Sequence, residues 1–86
     1  MVKVVINKCY GGFGFSQEAN DLYESRAGKA LCLWMTARHD PTLVKVVEEL
    51  GERANGCHSD LRIVEVVSAD RYHIEEYDGW EDVFEF

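Results

Sequence analysis

The residues best placed to do chemistry lie in one glycine-rich, aromatic stretch near the N-terminus, Lys8-Cys9-Tyr10-Gly11-Gly12-Phe13-Gly14-Phe15-Ser16. Backbone amides of such a loop, the Ser16 hydroxyl and the dipole of a following helix could together hold an anion. Lys8 would add a positive charge, and Tyr10, Phe13 and Phe15 could stack on a base. Gly12-Phe13-Gly14 is a G-x-G. Gln17 stands where a dinucleotide fingerprint has its third glycine, however, and no Gly-Lys-Ser/Thr follows, so neither that fingerprint nor a P-loop is present. The competing reading is a tight strand-to-helix turn whose aromatics cap the core.

Cysteine and histidine offer less. Cys9 stands just after a strand-like run, a place where nucleophiles occur, but the candidate bases His39, His58 and His73 are distant in sequence and no local signature of a thiol enzyme surrounds it. A small buried hydrophobe is the plainer role. Cys57-His58 with Cys9 and His73 fits no zinc spacing. Three scattered cysteines are not a disulfide framework. No metal, no cofactor and no catalytic set is therefore expected, and the chain reads as a binder rather than an enzyme.

Carboxylates gather towards the C-terminus at Glu75, Glu76, Asp78, Glu81, Asp82 and Glu85, with no spacing that singles out an acid–base pair. They could form a solvated edge that discourages strand-to-strand aggregation. Together with Tyr77, Trp80, Phe84 and Phe86 they could instead form a face that docks a basic partner. The candidate binding residues are thus Lys8, Cys9, Tyr10, Gly11, Gly12, Phe13, Gly14 and Ser16 in the loop, and Glu76, Tyr77, Asp78 and Trp80 near the C-terminus.

The elements that must position these groups follow from local pattern. Val2, Val4, Val5 and Ile6 make a strand over 2–7 whose apolar residues fall on both faces, which suits an internal position. Ser16 is an N-cap for a helix over 17–27 with Ala19, Leu22, Tyr23 and Arg26 on one stripe and Gly28 behind it. The run ALCLWMT at 30–36 reads as a buried strand, with a helix as the competing assignment. Asp40-Pro41 opens a second helix that should run to about Ala54 and bury Leu43, Val46, Val47, Leu50 and Ala54. Strands follow over 61–67 and 71–77, and Asp78-Gly79 is a type I′ hairpin signal. Residues 80–86 alternate as a last strand, or form a short terminal helix.

The expected order is β-α-β-α-β-β with one further β: an α+β fold, a small two-layer α/β sandwich with a mixed sheet and two helices. Eighty-six residues fit one domain, and 47% hydrophobic content with two Trp, four Tyr and four Phe argues against disorder. Nine Lys and Arg against sixteen Asp and Glu give a net charge of −7, which disfavours direct binding to nucleic acid and permits a basic protein partner. The N-terminus runs straight into a strand, so no signal peptide is expected, and no apolar run approaches a bilayer span. A cytoplasmic setting is the natural expectation.

Three stretches also carry a resemblance: Val4-Val5-Ile6-Asn7-Lys8-Cys9-Tyr10-Gly11-Gly12-Phe13-Gly14, Asp60-Leu61-Arg62-Ile63-Val64-Glu65 and Ile74-Glu75-Glu76-Tyr77-Asp78-Gly79. They resemble a group of small uncharacterised proteins of bacteriophages and prophage-bearing bacteria. The resemblance implies a bacterial host cytoplasm and a phage accessory role. By analogy with small phage proteins that blunt host defences, it implies an anti-defence (anti-CRISPR-like) protein that binds and inhibits a host factor. The alternative is a small protein that sequesters a nucleotide at the loop, across a homodimer interface because one short domain has little room for a deep pocket. A small enzyme of unknown reaction is the third alternative.

Overall fold

The computed structural model describes residues 2–11, 13–32 and 36–86. Its elements run β1 (Val2–Asn7), α1 (Gln17–Ala27), α2 (Pro41–Leu50), a 3₁₀ turn (Gly51–Ala54), β2 (Leu61–Val66), β3 (Tyr72–Tyr77) and β4 (Trp80–Glu85). The α+β class is as the sequence leads one to expect, with two helices and four strands. The single mixed sheet is not: the described strands form two antiparallel pairs, β1 with β2 and β3 with β4.

The β1–β2 ribbon is the middle layer. Val5, Leu61 and Ile63 face the two helices and pack with Tyr23, Leu43, Val46 and Val47. Val4, Ile6 and Val66 face the other way and are covered by Tyr72, Ile74 and Val83 of the β3–β4 hairpin. This double covering explains why Val4, Val5, Ile6 and Asn7 are all buried in succession. Each fully buried Val or Ile contributes about 1.5–3 kcal/mol to folding.

The helices start where their caps dictate. The Ser16 hydroxyl accepts from Ala19 N–H, and Gly28 closes α1 in a left-handed conformation. The Asp40 carboxylate accepts from the N–H groups of Thr42 and Leu43, with Pro41 in the first turn. The buried Tyr23 hydroxyl donates to the same carboxylate at 2.8 Å. Burial alone would push Asp40 up, but these hydrogen bonds outweigh it and hold the carboxyl below its ordinary value. Helix α2 is shorter than its pattern suggests. Gly51 takes a φ of 58°, a conformation that glycine alone adopts cheaply, and the chain continues to Ala54 as a 3₁₀ turn.

The strand expected over 30–36 is a correction for its described part. Ala30, Leu31, Cys32 and Thr36 lie in irregular backbone, and Thr36 N–H donates to Cys32 O at 2.9 Å, one turn back along the chain. Residues 33–35 lie outside the described residues. A run apolar on both faces does not specify a strand, and a neighbour for β1 is already supplied: Val5 N–H donates to the carbonyl of Arg38 at 2.9 Å. At the other end of the chain, Asp78 (φ 50°) and Gly79 (φ 92°) both have the positive φ of a type I′ turn, and residues 80–85 form the strand β4 rather than a helix. Among the described residues no helix is long and apolar enough to cross a membrane.

Candidate functional site

The two groups of candidate residues, far apart in sequence, form one surface. What joins them is Asn7, which is 0% exposed at the last position of β1. Its side-chain amide donates to Cys9 O at 2.8 Å in the loop and to Gly79 O at 2.6 Å in the hairpin turn. Its side-chain carbonyl accepts from Asp60 N–H at 2.8 Å, just ahead of β2. Asn7 N–H donates to Glu81 Oε1 at 2.9 Å. Glu81, only 4% exposed, is held by a bidentate pair with Arg38, at 2.6 and 2.9 Å. The same guanidinium also reaches Val5 O at 3.3 Å and lies 3.5 Å from the Phe13 ring centre. Thus Arg38 and Glu81 occupy the edge of β1 where another strand would pair.

The loop divides at its middle. Its first half turns outward: the Tyr10 ring lies 5.2 Å from that of Trp80, and Lys8 pairs with Asp82 while its ammonium stands 5.2 Å from the Trp80 ring centre. Its second half turns inward: Phe13 and Phe15 meet edge to face at 4.8 Å and pack against the helical core. Gly14 O accepts from Ser59 Oγ at 2.8 Å, and Ser16 N–H donates to Ala54 O at 2.9 Å. A β-carbon on Gly11 would lie 2.1 Å from His58 O, so glycine is required there by close backbone packing. Gly12 lies outside the described residues.

These contacts bear on each chemical reading. The amide and hydroxyl of Ser16 and the amide of Ala19 are already bonded within the fold, which leaves the amides of Gln17 and Glu18 for an anion at this helix end. Three concavities of about 300, 370 and 430 Å³ open elsewhere on the surface, and none of the three is lined by a residue of the loop. Cys9 is half-buried and Cys57 exposed. Among the described residues no group of three or more His, Cys, Asp or Glu side chains is arranged to hold a metal ion, so Cys9, Cys57, His58 and His73 are not gathered into one. Gly11→Ala is expected to destabilise the fold by about 1–3 kcal/mol through overpacking against His58; urea denaturation with an unchanged slope measures it.

The hairpin gives the surface its pattern. Cross-strand partners share a face, so the solvent side of β3–β4 carries three rows: His73 beside Phe84, Glu75 beside Asp82, and Tyr77 beside Trp80. His73 stacks on Phe84 with ring centres 5.6 Å apart, Phe86 lies beyond it, and Tyr10 extends the Trp80 row. Tyr77 is 74% exposed, Tyr10 65% and Phe86 66%. An acidic row therefore runs between two aromatic ones. Asp82 is offset by Lys8, whereas Glu75 and the turn residue Asp78 have no cationic partner among the described residues. Glu76 points to the other face and accepts from Gly79 N–H at 2.9 Å, bracing the turn. On that inner face burial pushes the Tyr72 phenol up, against the pull of nearby Arg38, and Tyr72 meets His39 Nδ1 at 2.8 Å.

Of the loop and C-terminal candidates, Lys8, Tyr10, Tyr77, Asp78 and Trp80 share the outward surface. Cys9 contributes a carbonyl to its support, and Gly11, Phe13, Gly14, Ser16 and Glu76 serve the packing beneath or beside it. Sequence reasoning left out Asn7, Arg38 and Asp60, which hold the surface together. Asn7 alone left a trace, as an amide ending a largely apolar strand. Comparison with protein-family models, with curated proteins and with solved structures finds no match for this chain.

Proposed function

We propose that this protein is a non-enzymatic binding module, and that the solvent face of the β3–β4 hairpin, extended by Tyr10, docks a protein that presents Lys or Arg side chains. The observation that carries this reading is the row Glu75–Asp82 set between the rows Tyr77–Trp80 and His73–Phe84. Two carboxylates directly opposite each other on a sheet repel; Lys8 offsets Asp82, and a cation docked beside Glu75 would offset the other. Aromatic rings on either side suit the stem of Lys and the planar face of Arg. A net charge of −7 would steer a basic partner to the encounter. Joined to the resemblance of the loop and hairpin motifs to small phage and prophage proteins, the reading makes the partner a bacterial host factor and the effect of binding its inhibition, in the manner of an anti-defence protein.

The test pairs one substitution with salt. Tyr77→Ala removes a largely exposed ring, so folding stability should change by no more than about 0.5 kcal/mol. Affinity for the partner should fall about tenfold or more, as for an aromatic anchor. Binding of the unsubstituted protein should weaken steeply from low to high salt, and Glu75→Gln should flatten that dependence. Titration calorimetry measures both. A complex indifferent to salt and to Tyr77→Ala would place the partner elsewhere.

A further inference from the structure

The four strands differ in how their edges are closed. The outer edge of β1 is occupied by Arg38 and Glu81. That of β2 is bonded only at its ends, Leu61 N–H donating to Asn55 Oδ1 at 2.7 Å and Val67 N–H to Glu85 Oε1 at 2.6 Å, with the backbone groups of Ile63 and Glu65 between them unbonded among the described residues. Within the hairpin, Phe86 N–H donates to Arg71 O, so His73, Glu75 and Tyr77 turn their backbone groups towards β4. The N–H and C=O groups of Tyr72, Ile74 and Glu76 therefore point away from β4, and they have no hydrogen-bond partner among the described residues. The corresponding groups of β4, on Glu81, Val83 and Glu85, are likewise unbonded among the described residues, but β4 packs against β1 and buries Glu81, whereas β3 is the outer strand, exposed from Glu75 to Tyr77.

We propose that this edge of β3 pairs with an extended segment of the partner protein, which adds a third strand to the hairpin and is basic on one face and apolar on the other. The inference rests on the basic partner proposed above and states how that partner is held. An open strand edge is a template for strand addition, and β3 carries neither Pro nor Lys to block it. Its only guards are carboxylates, which select by sign. A second copy of this chain paired here would crowd Glu75 and Glu76 of both chains into one sheet, so self-association is disfavoured. A segment alternating in character meets the opposite situation. Its basic residues fall beside Glu75 on the aromatic outer face, and its apolar residues fall beside Ile74, which packs on Val4, Ile6 and Val66.

A synthetic peptide of alternating Lys and Val, added to the full chain, is the probe, and amide hydrogen exchange followed by NMR is the readout. Exchange at Tyr72, Ile74 and Glu76 should slow about tenfold at a peptide concentration about ten times its dissociation constant. The same peptide N-methylated at alternate residues, and an alternating Glu and Val peptide, should give no such protection. Binding that perturbs Tyr10, Tyr77 and Trp80 without protecting the β3 amides would overturn strand addition and keep the docking face. Absence of binding at both places would overturn both proposals. Protection already present in the free protein, with a dimer in sedimentation, would show the edge taken by a second copy and overturn the proposal.

Discussion

Arg38→Ala is expected to lower the unfolding free energy by about 3–5 kcal/mol, because it leaves the buried Glu81 carboxylate without its cation. Removal of the guanidinium takes away both bonds to Glu81, the bond to Val5 O and the contact with the Phe13 ring. Among the described residues Asn7 N–H would be the one donor remaining on the carboxylate. For a domain of this size, whose total stability is about 5–15 kcal/mol, such a loss brings the fold close to its limit. Replacing both partners, Arg38→Met with Glu81→Leu, should recover part of the loss, since no buried charge is then stranded. Urea denaturation of the two variants beside the unsubstituted protein separates the cases. A single-variant loss under about 1 kcal/mol would mean that the pair behaves as an exposed one.

The second large effect is expected at Asn7. Asn7→Leu keeps the approximate volume but strands the carbonyls of Cys9 and Gly79 and the N–H of Asp60. Each stranded buried group costs about 1–3 kcal/mol, so a total of about 3 kcal/mol or more is expected even with some relaxation. Asn7→Asp should be at least as damaging, because a carboxylate accepts from Asp60 but cannot donate to the two carbonyls, and it would sit beside Glu81. Thermal unfolding measures the loss. In variants that still fold, NMR shifts at Cys9, Tyr10 and Gly79 should show the loop parting from the hairpin. An Asn7→Leu protein with the midpoint of the unsubstituted chain would contradict the role given to this residue.

How far the sequence carries follows from the range of each interaction. Ser16, Asp40-Pro41 and Asp78-Gly79 are local signals, and each marks the element boundary it suggests. The alternation of β2 separates Leu61 and Ile63, on the helical side, from Val64 and Val66, on the hairpin side. The stretch 30–36 has no such alternation, and what fills the edge of β1 is an arginine paired with a glutamate 43 residues further on. The Gly-rich loop is legible as a loop. Its attachment is not, because Gly11 needs the backbone of His58 and Gly14 needs Ser59. The union of Lys8 and Tyr10 with Trp80 and Asp82 depends on bonds that Asn7 makes across 72 and 74 residues. No spacing rule reaches that far, so two candidate surfaces in the sequence are one in the fold.

Whether that single surface binds a partner is read most directly by native mass spectrometry of the gently purified protein, with Tyr77→Ala alongside. The expected result is a stoichiometric complex with one basic bacterial protein, formed by the unsubstituted chain, dispersed by salt and lost in Tyr77→Ala. An added mass of a few hundred daltons retained by both chains, or a partner that Tyr77→Ala holds equally well, would contradict it and return the Gly-rich loop to consideration as a small-molecule site.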